Sequence, residues 1–119
     1  MFQEILREVV ENTDGAVAGV IMGYDGITLD TFQPEEVLAD IETVGMEFSV
    51  ILSQIRQAAE MLEVGEAREV AVQAENMVTV VRLLNEQYFV AITLRPGGNA
   101  GKARYQLRVR ALSLTEQLA

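Results

Sequence analysis

Between Glu35 and about Val64 apolar side chains return every three or four residues, at Val37, Ile41, Val44, Phe48, Ile51, Ile55, Ala58 and Leu62. That is the period of one face of an α-helix. The helix it predicts, roughly 30 residues, is longer than the three or four turns a globular domain usually needs. Beside the stripe lies a second, mixed row: Gly45, Ser49, Leu52 and Arg56. A glycine within a helix costs about 1 kcal/mol against alanine, so Gly45 points to another backbone passing close by. The long helix is therefore expected to carry two faces, the stripe for its own core and the row for a partner. The competing reading is an ordinary core helix with a tolerated glycine.

The elements around this helix follow from periodicity. Phe2, Ile5, Leu6, Val9 and Val10 predict a first amphipathic helix, ended by the turn-forming Asn12-Thr13-Asp14-Gly15. Ala16–Tyr24 is apolar on both alternating faces, as in a central strand covered on each side. Asp25-Gly26 is a two-residue hairpin signal leading to a short strand, Ile27–Phe32. Pro34 is expected to open the long helix, with Glu35, Glu36 and Asp40 near its positive end. After Gly65 the period becomes two: Val70, Val72 and Ala74 alternate with Glu69, Ala71 and Gln73, the pattern of an edge strand. Two more strands, Met77–Leu84 and Tyr88–Leu94, are joined by Asn85-Glu86-Gln87, and the second belongs beside the first strand at the sheet's centre. Pro96-Gly97-Gly98-Asn99 breaks the chain before a final helix from Ala100 to about Leu118, with Ala103, Leu107, Ala111 (or the stem of Arg110), Leu114 and Leu118 on its buried side.

Short connections between successive strands favour antiparallel pairing. The predicted fold is one domain, 1–119, of the α/β class. It is a three-layer α/β/α sandwich around a five-stranded antiparallel sheet, with the long helix on one face and the terminal helices on the other.

Composition excludes several functions. The net charge is −9, which repels nucleic acid and anionic lipid surfaces. Only four basic residues precede position 95, whereas Arg95, Lys102, Arg104, Arg108 and Arg110 follow it. This late cluster reads as a solvated helix face balancing acids elsewhere in the chain. No window is long and apolar enough to insert in a membrane. The acidic first helix is unlike a signal peptide, and a cytoplasmic address is the default. Histidine, cysteine and tryptophan are absent, which removes the commonest general base, the thiol nucleophile and the soft metal ligands. No enzyme activity, metal or cofactor is expected.

The hairpin stretch Gly15–Leu29 (Gly-Ala-Val-Ala-Gly-Val-Ile-Met-Gly-Tyr-Asp-Gly-Ile-Thr-Leu) resembles the opening of the roadblock (dynein light chain) family. The stretch Gly98–Arg108 is similar to the start of the last helix in its bacterial, MglB-like members, and the element order agrees over nearly the whole chain. The resemblance implies a roadblock/profilin-like fold. It also implies a homodimer, or a heterodimer with a related roadblock chain, made by pairing the strand after the long helix across a two-fold axis with the long helices side by side. In this sequence the strand 66–75, with Val70 and Val72, and the row Gly45, Ser49, Leu52 and Arg56 would form that interface. Bacterial members are associated with Ras-like small GTPases, so a regulator or scaffold for such a GTPase is implied, with a possible activating role. The chain ends soon after its last helix, short of the longer tail of MglB-type members, which weakens the case for their mode of regulation. The alternative is a light-chain-like adaptor subunit of a larger assembly without a GTPase.

Four sharper signals have plain alternatives. The loop Pro96–Ala103 has the strand–glycine–helix context of a phosphate loop. It lacks both the leading glycine and the Ser/Thr that holds magnesium, and reads as a flexible connection. Glu35-Glu36 and Asp40 with Glu42 read as helix-start carboxylates rather than acid–base groups, and Met46, Met61 and Met77 as core filling. Arg56 falls on the partner row and is either paired within the chain or a contact to a second protein, in which case Arg56→Ala weakens partner binding without unfolding the chain.

Overall fold

A computed structural model describes residues 2–36 and 39–119. Its elements run α1 (Gln3–Glu11), β1 (Ala16–Gly23), β2 (Thr28–Phe32), α2 (Ile41–Met61), β3 (Glu69–Gln73), β4 (Val78–Leu83), β5 (Tyr88–Leu94) and α3 (Ala100–Gln117). The five strands form one sheet of order β2-β1-β5-β4-β3 with every neighbouring pair antiparallel. β1 and β5 are neighbours near the middle, where their two apolar faces are both covered.

Two cores flank the sheet. On one face Leu6, Val9, Ala103, Leu107 and Leu114 of α1 and α3 pack on Ile21, Val78, Val80, Val90 and Ile92. On the other, Ile41, Val44 and Leu52 of α2 pack on Ala18, Val20, Met22, Val81, Phe89 and Ala91. Alternate residues of β1, β4 and β5 thus serve opposite cores, which is why these strands read as continuous apolar runs. The three-layer sandwich expected from the sequence is the observed architecture.

The long helix departs from expectation at its start. α2 spans 21 residues, and Asp40 is its N-cap, accepting a hydrogen bond from the Thr43 amide at 3.3 Å. Pro34 does not open it. Instead Gln33 reaches across, its Oε1 accepting from the Ile41 amide at 2.8 Å. A capping carboxylate satisfies amides that a helix begun at Pro34 would leave to solvent, so it wins over the weaker proline signal. Val37, counted in the sequence stripe, lies outside the described residues. At the far end Glu63 (φ 55°) and Gly65 (φ 87°) take left-handed conformations that turn the chain back toward β3.

The glycine-rich loop before α3 is a packed joint rather than a flexible connection. The Arg95 amide donates to the Gly15 carbonyl at 2.8 Å and the Asn99 amide to the Asp14 carbonyl at 2.8 Å. A Cβ at Gly15 would stand 2.5 Å from the Gly98 Cα, so the two backbones touch. The Gly98, Asn99 and Ala100 amides are spent inside the chain, and Asn99 caps α3 by accepting from the Lys102 amide at 3.0 Å.

Candidate interaction surface

The row expected to face a partner faces the chain's own sheet. Gly45, Ser49 and Leu52 are buried, and Leu52 is part of the α2 core. A Cβ at Gly45 would meet the Met22 Cε at 2.8 Å and the Val20 Cγ1 at 3.4 Å, so what comes close is not a backbone but two side chains of strand β1 in the same chain. Ser49 bonds its hydroxyl to the Met46 carbonyl at 2.6 Å, which makes a buried polar side chain tolerable. These three residues are therefore core contacts, a correction to their assignment as interface. The true buried stripe is rotated from the expected one: Ile51 and Leu62, placed in the core by periodicity, are exposed.

Arg56 also has its partners at home. Its guanidinium carbon lies 4.4 Å above the centroid of the Tyr24 ring, and its Nη1 donates to the Glu86 carbonyl at 3.1 Å. It ties α2 to the turn after β1 and to the β4–β5 loop together. Tyr24 in turn donates to the Asn85 carbonyl at 3.2 Å. Burial pushes the Tyr24 phenol up to about 12, although the nearby Arg56 charge pulls the other way.

Val70 and Val72 stand as expected on an edge strand. β3 pairs with β4 alone, from Glu69↔Arg82 to Gln73↔Val78. The Leu83 amide donates to the Arg68 carbonyl, and the Ala74 amide to the Met77 carbonyl. Hydrogen-bonded pairs alternate along an antiparallel ladder, so residues 68, 70, 72 and 74 bond toward β4. The amides and carbonyls of Glu69, Ala71 and Gln73 point to the open side, and none has a hydrogen-bond partner among the described residues. Val70 joins the α2 core at its rim, while Val72 on the same face is exposed.

The outward sides of α2 supply the rest. Phe48 and Ile55 pack partly on the core, and Ile51 and Leu62 continue the same flank into solvent. That flank is turned away from the loops that Arg56 holds. On the outermost side Met46, Val50 and Met61 are exposed, so the methionines expected to fill the core are split: Met22 is fully buried, Met77 packs at the core's rim, and Met46 and Met61 are on the surface. The arrangement offers open backbone groups and an apolar flank. Among the described residues no cluster of acids could hold a metal ion, and no helix is long and apolar enough to cross a membrane.

The late basic cluster is partly spent on acids of the same chain: Arg104 to Glu69 at 2.6 Å, Arg110 to Glu8 at 3.5 Å and Arg95 to Glu35 at 3.9 Å. Hydrogen bonding from Arg104 holds the Glu69 carboxyl below the usual carboxylate range.

Comparison with solved structures places this arrangement among known ones. The chain is 41% identical to MglC of Myxococcus xanthus, with 98% of each chain covered and a TM-score of 0.69. It is 17% identical to the gliding protein MglB of Thermus thermophilus, over 95% of this chain and 84% of that one, with a TM-score of 0.82. A roadblock/LC7 domain from Streptomyces avermitilis matches at 16% identity, with 98% and 96% covered and a TM-score of 0.83. No protein-family model and no curated protein matches the chain.

Proposed function

This chain belongs to the roadblock/LC7 (dynein light chain) family, and on that premise we propose that it is a non-enzymatic adaptor or regulator completed by a second chain. The partner is a second copy or a related roadblock chain, joined through the open edge of β3. The observation that carries this reading is the parity of β3. Three successive outward residues present unpaired backbone groups beside the exposed Val72, a template that a second strand would complete. Pairing would extend the sheet and bring the flank of Ile51 and Leu62 against its counterpart, covering apolar surface that the single chain leaves wet.

The assembled pair would present the outer side of α2, with Met46 and Val50, to a Ras-like small GTPase in the cytoplasm. Support for that partner is family kinship. A chain without histidine or cysteine would influence hydrolysis by positioning the GTPase's own loops, not by supplying chemistry.

The test has two parts. Light scattering on the purified chain is expected to give twice the monomer mass at micromolar concentration, and a monomer there would reject the edge-pairing reading. Capture of a candidate GTPase is expected with GTP and not with GDP. Nucleotide-independent capture would instead favour a light-chain-like adaptor.

A further inference from the structure

Helix α3 is apolar on two opposite sides, and only one of them has a use in the fold. Ala103, Leu107 and Leu114 are buried against the sheet. Half a turn away, Tyr105, Val109 and Leu112 recur at positions i, i+4 and i+7 and are 54%, 51% and 71% exposed. A surface helix of a self-sufficient domain normally turns charged residues to that side.

Next to this stripe the protein keeps a concentration of positive charge. A depression of about 340 Å³ is lined by Arg82, Arg104, Arg108, Tyr105 and Glu69, three cations to one anion in a chain of net charge −9. Arg104 is engaged by Glu69, whose charge also attracts Arg82 and Arg108, while Arg108 lies over the Tyr105 ring at 5.5 Å and the Arg82 Nε is buried with no hydrogen-bond partner. Three guanidinium groups around one carboxylate leave the recess with excess positive charge, and a second carboxylate is the group that matches their planar forks.

The two features adjoin through Tyr105, and together they specify an occupant. We propose that the outer face of α3 is a docking surface for an acidic, apolar-anchored peptide segment of another protein. A carboxylate of that segment enters the arginine depression while its apolar side chains cover Tyr105, Val109 and Leu112. An anionic membrane would also meet apolar and basic groups, but a recess suits a discrete side chain better than a flat bilayer. The site lies on the sheet face opposite α2, so both surfaces could be occupied together.

The probe is a displayed library of random peptides panned against the intact protein. Peptides recovered are expected to carry Asp or Glu at one end of an apolar i, i+4, i+7 pattern. Arg108→Glu and Leu112→Asp are each expected to weaken the selected peptide by about tenfold or more. Val50→Asp, on α2, is expected to leave its affinity unchanged. Should the α3 variants unfold, replacing the acidic residues of the peptide with Lys reads the same contact from the other side, and binding unaffected by that change overturns the proposal. It is equally overturned by recovery of no acidic peptide, or by phosphatidylglycerol vesicles that bind the protein and displace the peptide.

Discussion

The two edges of the sheet are treated in opposite ways. At β2 the first residue of α1 closes the edge: the Gln3 amide donates to Asp30 Oδ2 at 3.0 Å, and its Nε2 donates to the Thr31 carbonyl at 3.2 Å. A register shift between Ile21 and Met22 further distorts the β1–β2 pairing. At β3 no comparable cover exists among the described residues, and the outward groups of Glu69, Ala71 and Gln73 stand open. Free edges invite association, and proteins usually blunt them by covering, distorting or charging the strand. Guarding one edge and leaving the other bare sets where a second chain can add, and therefore the direction in which the sheet grows.

The most severe disruption of this contrast is Ala71→Pro. It removes an outward N–H while leaving the ladder to β4 intact, so the dimer is expected to dissociate about a hundredfold more readily, with secondary structure retained, as read by sedimentation and circular dichroism. Gly45→Val separates core from edge. Its side chain has no room beside Met22, so stability is expected to fall by about 2 kcal/mol in denaturant titration, while association of the folded fraction is unchanged. Arg56→Ala should cost about 1 kcal/mol through loss of the ring contact and the bond to Glu86, again with the dimer intact. Weakened association with normal stability would return Arg56 to the interface.

Alkaline titration examines the turn that Arg56 holds. Because the Tyr24 phenol is raised in the folded chain, the unfolded chain loses that proton first. The stability it contributes is full below pH 10 and is lost as pH rises from about 10 to about 12. Tyr24→Phe is expected to flatten this decline in thermal melts. The smallest effect comes from uncovering the guarded edge: Gln3→Ala loses one side-chain hydrogen bond, about 0.5 kcal/mol, and slightly raises aggregation on heating.

Strand order, layer assignment and the edge position of β3 were legible in the sequence, because alternation records how many faces of a strand are covered. The side of α2 that meets the sheet was not. Its apolar residues span well over half the helix circumference, so periodicity alone admits several rotations, and Gly45 marks a close approach without saying what approaches. Met22 and Val20 of the chain's own β1 fill that space with side chains, with no partner needed. The helix start is hidden in the sequence because Pro34 and the acids after it mimic an N-terminus, whereas the true cap, Asp40, looks like one more favourable charge. The guard on β2 rests on Gln3, whose reach to a strand 27 residues away has no local signature.

The contact between Gly15 and Gly98 has a consequence for how sequences of this shape can drift. Most tight packings forgive an enlargement on one side if the neighbour shrinks. Here both neighbours are already the smallest residue there is, and a Cβ on Gly15 would fall 2.5 Å from a main-chain atom that cannot rotate away. At Gly15, shrinking a neighbouring side chain therefore relieves nothing, whereas a Cβ at Gly98, 3.0 Å from the Arg95 carbonyl oxygen, asks its neighbours to give by only a few tenths of an ångström.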